Sequence, residues 1–358
     1  MELFCYQAEC GDAIRLRYIG DDGHPHNIFL DSGYERTYRN ILRQEINALI
    51  RTGESIDLWI VSHIHDDHIG GIMKYIKSVE DEEIKDITKV WLYNPPRQYP
   101  VDFDIKQNTT SSAMSIDQGD RLFKFLSANN KLSPKDIDTD LEFSNFFGLK
   151  IHILSPNKSV IKALRNKYKS GIPFQSSEID DVSHAASVTN YDYNKKIDEF
   201  ALDVFSEDDS LENKSSISVL IEYQNKKILW LADSHPSVVI ESLTQNGYSM
   251  KYPLVCNYVI LSHHASKRNN STSLFNMIKC DKYIISSNGE NKHCLPNKEV
   301  IAKIIRNKNR NSSIPYSLFF TYNTLNLKNI FKSDDDDIFK KWNFNPVYSS
   351  KYCTHIKL

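Results

Sequence analysis

The chain has 358 residues, of which 40% are hydrophobic and 25% charged, and its 46 acidic and 44 basic side chains give a formal net charge of −2. This composition is typical of a globular protein and excludes the globally basic surface of many nucleic-acid-binding proteins, although a local basic patch is compatible with it. No apolar run approaches the ~20 residues that a membrane-spanning helix needs, so we expect no membrane partner.

The cysteines and the first residues bear on the compartment. Six cysteines occur without a paired CxxC spacing, so neither a cysteine zinc site nor a disulfide framework is predicted. The chain carries an acid, Glu2, where a secretory signal has basic residues followed by an uninterrupted apolar stretch. We therefore expect free thiols and a cytoplasmic location.

The predicted elements begin with three strands, near residues 2–7, 13–19 and 26–31, and a helix from about 37 to 51. Strands and helices then alternate: strand 56–61, a helix from about 69, strand 89–93, helix 115–128, strands 149–154, 216–223 and 227–232, a helix opened by Pro236, strand 258–261, a helix near Ser271, strand 283–286, helix 297–305 and strand 317–322. This alternation predicts an α/β protein.

The order of these elements predicts one large domain over residues 1–308, with a polar, acid-rich insertion or long loop at about 169–213. Residues 309–358 are expected to form a C-terminal extension packed on or flanking that domain. The four aspartates at 334–337 are interpreted as a solvated run of charge.

Four candidate metal ligands lie directly after the buried strand 56–61, in the segment His63-x-His65-x-Asp67-His68. The first two histidines are two residues apart on extended chain, so their side chains point to one side, and the turn into a helix redirects Asp67 and His68 towards a second position. Structural zinc sites usually include cysteine, so this pattern favours a catalytic metal centre over a structural site or a solvated turn. Nitrogen and carboxylate ligands suit Zn²⁺ best, with Mn²⁺ or Fe as alternatives.

This motif after a hydrophobic strand resembles the signature of the metallo-β-lactamase superfamily. The resemblance continues in order over about residues 1–306, through the segment Leu30 to Gly33, the strand that ends in Asp233, and the double histidine at 263 and 264. It implies a four-layer αββα sandwich that binds two divalent metal ions. It also implies that Asp31 contacts the metal ligands on the side away from the metal ions and orients them.

The ligands that the resemblance implies are His63, His65 and Asp233 for the first ion, and Asp67, His68, Asp233 and one of His263 and His264 for the second. Adjacent residues on an extended chain project in opposite directions, so only one histidine of the pair is expected to ligate. We prefer His264 as the ligand and His263 as a substrate-side acid or phosphate contact. Asp67 and His263 are the residues predicted to act in catalysis.

The segment Asn213-x-x-Ser216, followed by a strand pair and the double histidine, is most similar to the ComEC-like hydrolase branch of the superfamily and to its stand-alone relatives associated with anti-phage defence. In that branch this segment takes the place of a third histidine at the first metal ion. Asn213, a water molecule or His184 from the insertion is therefore the candidate replacement.

Three residues depart from the pattern that the resemblance implies. Ala232 and Ala265 stand where glycine is usual, and Leu295 stands where the branch commonly has histidine. His293, two residues upstream, either substitutes for that histidine or is an ordinary loop residue.

A cationic segment follows the double histidine. Lys267 and Arg268, with hydroxyl donors beside them, precede a predicted helix N-terminus, which suits an anion such as phosphate. A solvated capped loop is the alternative.

Together these features predict a metal-dependent hydrolase, with a phosphodiesterase or nuclease favoured over a β-lactamase. The predicted nucleophile is a hydroxide activated by two metal ions. The predicted substrate is nucleic acid or a nucleotide-derived molecule, and the predicted setting is bacterial anti-phage defence with a protein partner. Because of the departures at 232, 265 and 295, a second hypothesis is that the protein is a non-catalytic subunit in which the metal ions stabilise a binding surface. The fold alone also permits a hydrolase of lactones, lactams or thioesters.

Overall fold

The computed structural model describes residues 1–98, 111–169 and 191–358. The predicted candidate His184 and most of the first half of the predicted insertion lie outside these residues. Within them, no helix is both long enough and apolar enough to cross a membrane.

In the first half of the chain, the described residues form seven strands and five α-helices. The strands are β1 (Glu2–Tyr6), β2 (Ala13–Ile19), β3 (Pro25–Asp31), β4 (Ile56–Ile60), β5 (Thr88–Leu92), β6 (Glu142–Phe146) and β7 (Leu149–Ser155). The helices are α1 (Glu35–Thr37), α2 (Arg43–Thr52), α3 (Asp66–Glu80), α4 (Ser111–Ala128) and α5 (Lys158–Lys167), and a π-helical turn over Tyr38–Leu42 joins α1 to α2.

The second half supplies the remaining strands and helices of the described residues. The strands are β8 (Ser218–Tyr223), β9 (Lys226–Trp230), β10 (Leu254–Val255), β11 (Tyr258–Ile260), β12 (Ile278–Lys279), β13 (Lys282–Ile285), β14 (Tyr316–Phe320), β15 (Phe344–Tyr348) and β16 (Cys353–Lys357). The helices are α6 (Leu211–Lys214), α7 (Pro236–Gln245), α8 (Thr272–Asn276), α9 (Lys298–Ile305), α10 (Leu325–Lys328) and α11 (Ile338–Lys341).

Two large sheets face each other. The first has the order β16-β1-β2-β3-β4-β5 and the second has the order β15-β14-β13-β11-β9-β8-β7-β6. Apolar side chains from the facing sides of both sheets, among them Leu16, Ile60, Ile221, Trp230 and Ile260, form one buried layer between them.

Helices cover the two outer faces of the sheets. Trp59 and Tyr75 belong to the buried cluster that packs α2, α3 and α4 on the first sheet. Leu229, Val239 and Ile301 belong to the cluster that packs α7, α8 and α9 on the second. The layers therefore run helix, sheet, sheet, helix, and the predicted α/β four-layer αββα sandwich is confirmed.

Parallel strand pairing brings the candidate ligands to one edge. β3 pairs in parallel with β4, with Leu30 opposite Ile60, and β9 pairs in parallel with β11, with Trp230 opposite Ile260. The carboxyl ends of parallel neighbours lie side by side, which is where open α/β sheets place their sites. The segments that follow these four strands carry every metal ligand predicted from the sequence.

The last fifty residues are integrated into both sheets. β14 and β15 extend the second sheet in parallel from β13, whereas β16 pairs antiparallel with β1 at the edge of the first sheet. The predicted C-terminal extension, residues 309–358, thus supplies edge strands on both sides of the sandwich.

The acidic run at 334–337 is not uniformly solvated, and that interpretation is wrong for Asp334. Its Oδ2 lies 2.6 Å from the Nζ of Lys298, and both side chains are fully buried. Its Oδ1 accepts a hydrogen bond of 2.7 Å from the backbone N–H of Ile197. One aspartate of the run therefore links α9 to the described end of the insertion.

Candidate metal centre

The helix α3 begins immediately after the histidine motif. His65 has an extended backbone and precedes the first helical residue, and the acids Asp66 and Asp67 occupy the first turn, where the helix dipole favours negative charge. This change from extended chain to helix within the motif places His63 and His65 in one group of donors and Asp67 and His68 in another.

The first group of donor atoms belongs to His63, His65 and Asp233, whose ligand atoms lie within 4.8 Å of one another. The Nε2 of His63 is 3.0 Å from the Nδ1 of His65 and 3.7 Å from the Oδ2 of Asp233. Two histidines of one motif and an aspartate about 170 residues later thus converge on one point.

The second group belongs to Asp67, His68 and His264, again within 4.8 Å. The Oδ2 of Asp67 is 3.7 Å from the Nε2 of His68 and 3.4 Å from the Nε2 of His264. Asp233 reaches this group with its other oxygen, Oδ1, which is 3.3 Å from the Nε2 of His68. Asp233 therefore presents one oxygen to each group, as a bridging carboxylate does.

The two groups fit divalent metal ions. Ligand atoms bound at ~2.0–2.2 Å to one tetrahedral ion lie ~3.3–3.6 Å apart, close to the separations found here. Among the residues that the structure describes, the buried Nε2 atoms of His68 and His264 and the Oδ1 of Asp233 have no hydrogen-bond partner. Such buried atoms cost free energy unless a ligand satisfies them. The donors are nitrogen and carboxylate oxygen, with no thiolate.

The carboxylates and histidines stabilise each other's charged forms. Burial by itself raises the pKa of Asp67 and Asp233, but His68 and the other neighbouring histidines together outweigh burial and hold both pKa values below the ordinary value. Burial by itself lowers the pKa of His68 and His264, but the carboxylates raise both. A bound divalent cation would replace these protons as the countercharge to the two carboxylates.

Asp31 holds His68 in place, in the position that the resemblance implied. Its Oδ2 accepts hydrogen bonds from the Nδ1 of His68 at 2.6 Å and the hydroxyl of Ser62 at 2.6 Å, and its Oδ1 accepts from the backbone N–H of Ser62 at 2.7 Å. Burial raises the pKa of Asp31 to about 6, against the opposing effect of His68. Nδ1–H of His68 is thereby committed to Asp31, which leaves Nε2 to face the centre.

The backbone at the double histidine differs from the expected extended chain, and that expectation is wrong. His263, His264 and Ala265 have φ angles of 45°, 54° and 67°, three consecutive left-handed residues. Each costs ~1–2 kcal/mol relative to ordinary backbone, so packing must hold this turn. The turn still separates the two side chains: His264 is 1% exposed beside Asp67, and His263 is 23% exposed. Which of them ligates stays a prediction.

The two alanines that stand at expected glycine positions keep a glycine-like backbone. Ala232 has a φ of 45° and Ala265 a φ of 67°, both in the left-handed region that favours glycine. Leu295 is buried, and its carbonyl accepts hydrogen bonds from Ser287 and Asn291. These departures therefore preserve the local backbone.

A polar network fixes the tautomer of His263. The side-chain N–H groups of Asn269 donate to the backbone carbonyl of Asp233 and to the carboxylate of Asp208. The atom of Asn269 that lies 2.9 Å from the Nδ1 of His263 is therefore its oxygen, Oδ1, which accepts. His263 therefore donates from Nδ1, and its Nε2, 3.8 Å from the Oδ2 of Asp233, is free to bind a cation or a proton. To act as an acid, as predicted, His263 must first gain that second proton.

Asn213 lies behind His263, at its Nδ1 side. Its Nδ2 donates to the Oδ2 of Asp208 at 2.7 Å and is 3.5 Å from the Nδ1 of His263. Asp208, which the sequence analysis missed, has a pKa that burial raises, but His235, Asn213 and the other neighbouring polar groups together hold it below the ordinary value. The described end of the insertion thus reaches the centre through Asp208.

The cationic segment after the double histidine is only partly free to meet an anion. Arg268 pairs with Asp209 at 2.9 Å, whereas the side chain of Lys267 is exposed. The following helix, α8, has five residues, and its first turn is capped by the hydroxyl of Ser271. The expected helix N-terminus is therefore satisfied internally, and both Lys267 and Arg268 reach solvent, with Arg268 held by Asp209.

His293 lies near enough to the centre to be affected by its charges. The residue is exposed, and its pKa is lowered by desolvation first, then by the charges of Lys292 and His263, with Asp67 opposing them. The structure thus places His293 at the rim, and its role stays a prediction.

Two glycines permit the close approach of backbones at the centre. A Cβ added to Gly71, in α3, would be 2.5 Å from the backbone oxygen of Ser32, next to Asp31. A Cβ added to Gly11 would be 2.2 Å from the backbone oxygen of the candidate ligand Asp67. The sequence analysis missed Gly11, because no local pattern shows that the loop between β1 and β2 touches α3.

Gly11→Ala is expected to lower the free energy of unfolding by ~1–3 kcal/mol and to weaken metal binding, because the new methyl group pushes the backbone of Asp67. Denaturant unfolding and metal content would measure both effects. Gly247→Ala is the matched control, since its Cβ meets open space and only its φ of 83° opposes the change. Equal metal binding by the two variants would contradict the role of Gly11.

Residues 24–126 match the family model of the metallo-beta-lactamase superfamily. This segment contains Asp31 and the whole motif from His63 to His68, so the match covers the residues on which the first part of the predicted resemblance rests. A comparison with curated proteins gave no match.

Several solved structures are similar to the chain at low identity. The metallo-beta-lactamase fold protein YhfI from Bacillus subtilis is 10% identical with a TM-score of 0.43, over 99% of this chain and 98% of that one. A mutant of the CmlA beta-hydroxylase is 11% identical with a TM-score of 0.41, over 100% of this chain and 54% of that one. A long form of RNase Z from yeast is 11% identical with a TM-score of 0.31, over 80% of this chain and 38% of that one.

Proposed function

We propose that this chain, with its metallo-beta-lactamase fold, is a metal-dependent hydrolase that cleaves phosphodiester bonds in nucleic acid or nucleotide-derived molecules. One observation carries the proposal: two groups of nitrogen and oxygen donors lie on either side of Asp233, which faces both. Two divalent ions are proposed, with zinc favoured by the donors and manganese or iron as alternatives.

Bound metal ions would lower the pKa of a coordinated water and polarise the scissile ester. The side chains of this protein supply the rest. Asp31 and Ser62 hold His68 and His63 in fixed orientations, since the hydroxyl of Ser62 lies 3.0 Å from the Nδ1 of His63. The partly exposed His263, with Nδ1 committed to Asn269, can hold a proton on Nε2 for a leaving oxygen.

Two features support a phosphodiester substrate. The Asn213-x-x-Ser216 segment and the double histidine resemble the ComEC-like branch. Lys267 places an exposed cation three residues after His264, suited to a phosphate oxygen. The cytoplasmic setting, the anti-phage role and a defence-system partner rest on sequence and resemblance alone, and the genes that neighbour this one would test the last two.

The catalytic proposal is preferred over a non-catalytic subunit. The alanines at 232 and 265 retain left-handed backbone, so their presence does not argue for a disrupted centre. The donor atoms also remain oriented towards one another rather than towards the surface.

The test is turnover by protein loaded with Zn²⁺ or Mn²⁺, after metal content has been measured by elemental analysis. We expect about two ions per chain and hydrolysis of a bis-nitrophenyl phosphate reporter, followed by a screen of DNA, RNA and cyclic nucleotides. Activity on lactones, lactams or thioesters alone would reject the phosphodiester part. Two bound ions without turnover on any of these substrates would favour the non-catalytic subunit.

A further inference from the structure

Asp12 is a buried carboxylate that the sequence analysis did not select. It lies between β1 and β2, is 1% exposed, and contacts the second sheet from the first. Its Oδ2 accepts a hydrogen bond of 2.8 Å from the indole N–H of Trp230, in the strand that leads to Asp233. Its backbone oxygen accepts a hydrogen bond of 2.7 Å from Gly33, directly after Asp31 and Ser32.

The other oxygen of Asp12 faces His264. Its Oδ1 is 3.9 Å from the Nδ1 of His264, and the two side chains are 2% and 1% exposed. Neither atom has a hydrogen-bond partner among the residues that the structure describes. Two unsatisfied buried atoms of opposite character, a carboxylate oxygen and a ring nitrogen, thus lie one small side-chain rotation from a hydrogen bond.

The pair Asp12 and His264 resembles a second aspartate–histidine pair in the same centre, in which the hydrogen bond is formed. Asp31 accepts from the Nδ1 of His68 at 2.6 Å, which leaves the Nε2 of His68 facing Asp67 and Asp233. His264 presents its Nε2 to the same two carboxylates, at 3.4 Å and 3.8 Å. The two histidines of the second group are therefore each backed by an aspartate on the side away from the centre.

Asp12, Asp31 and His68 also form a group of donors within 4.8 Å of one another. The oxygens of Asp31 already accept from Ser62 and His68, and one oxygen of Asp12 accepts from Trp230. This group therefore lies behind the ligands and supports them.

We propose that Asp12 is a positioning residue for the second metal ion, which keeps the proton of His264 on Nδ1 and so presents Nε2 as a ligand. The proposal rests on the metal centre of the proposed function but not on its substrate. A cation on Nε2 makes the Nδ1–H a stronger donor, and this closes the gap to Asp12.

Asp12→Asn tests the proposal with little change in shape. The indole N–H of Trp230 requires an acceptor at the Oδ2 position, so the introduced amide must turn its NH₂ group towards His264. This NH₂ group donates to Nδ1 of His264 and so favours the tautomer whose proton is on Nε2. A protonated Nε2 cannot bind a metal ion. We expect one of the two Zn²⁺ equivalents to bind roughly 10–100-fold more weakly, with the other unchanged.

The measurement is a Zn²⁺ titration of the full chain in competition with a chromogenic chelator. Trp230→Phe is the matched control, because it removes the hydrogen bond to Asp12 while it leaves the carboxylate facing His264. We expect this control to unfold more easily and to keep both equivalents tight.

If Asp12→Asn bound two equivalents of Zn²⁺ as tightly as the wild type, the proposal would be overturned. Equal weakening of both Zn²⁺ equivalents in both variants would also overturn it, because that result indicates a structural role only. A wild-type chain that binds no metal would instead refute the metal centre itself. The readout needs no substrate, so failure of the phosphodiester proposal leaves it intact.

Discussion

Asp233→Asn is expected to reduce turnover of a phosphodiester reporter by ~10³-fold or more, equivalent to ~4 kcal/mol of transition-state stabilisation. Of the residues that the structure describes, Asp233 alone presents an oxygen to each group of donors, at 3.7 Å from His63 and 3.3 Å from His68. A neutral amide removes half of the buried carboxylate charge that two cations require. Steady-state kinetics and metal content on the same preparation would measure the effect.

Asp209→Asn is the matched control for this substitution. Asp209 lies near the same rim, but its side chain is 72% exposed and pairs with Arg268 away from the donors. We expect its turnover to stay close to that of the wild type. His63→Ala and Asp67→Ala, each a member of one group, are expected to behave like Asp233→Asn. Wild-type turnover in these three variants would contradict the assignment of the centre.

Asp334→Ala is expected to lower the free energy of unfolding by ~3–5 kcal/mol, because it leaves the ammonium group of Lys298 buried without its partner. The two groups are 2.6 Å apart and both are fully buried. Loss of the carboxylate also removes the acceptor for the backbone N–H of Ile197. Urea or guanidinium unfolding, with the slope of the transition compared, would measure the change.

Asp336→Ala, two residues away and exposed, is the control and should change stability by no more than about 0.5 kcal/mol. A double variant, Asp334→Ala with Lys298→Met, should recover much of the loss because no unpaired charge then remains buried. Equal stability of Asp334→Ala and Asp336→Ala would show that the buried pair contributes nothing.

The local parts of the centre could be predicted from the sequence. His63, His65, Asp67 and His68 lie within six residues. The change from strand to helix in this segment largely determines the directions of their side chains, with little need for long-range contacts. Asp31 and Asp233 could be placed because the resemblance assigns a role to an aspartate at or after each of these two apolar strands. The layered fold followed from the alternation of strands and helices together with the resemblance.

Long-range contacts and unusual backbone could not be predicted. Asp12 meets Trp230 218 residues later, and Asp334 meets Lys298 36 residues earlier, so no spacing in the sequence marks either pair. The left-handed turn at His263 and His264 is carried by residues that normally avoid that conformation, and packing rather than residue preference holds it.

The pairing of β1 with β16 has a consequence for the kinetics of folding. Glu2 lies opposite Lys357 and Tyr6 opposite Cys353, so the paired residues of these two strands are about 350 positions apart in the sequence. Closure of so long a loop costs chain entropy before strand pairing contributes any favourable free energy, and contacts of this kind slow folding. We therefore expect the two sheets and the metal-binding edge to form first. The pairing of β1 with β16 is then expected to form as one of the last events.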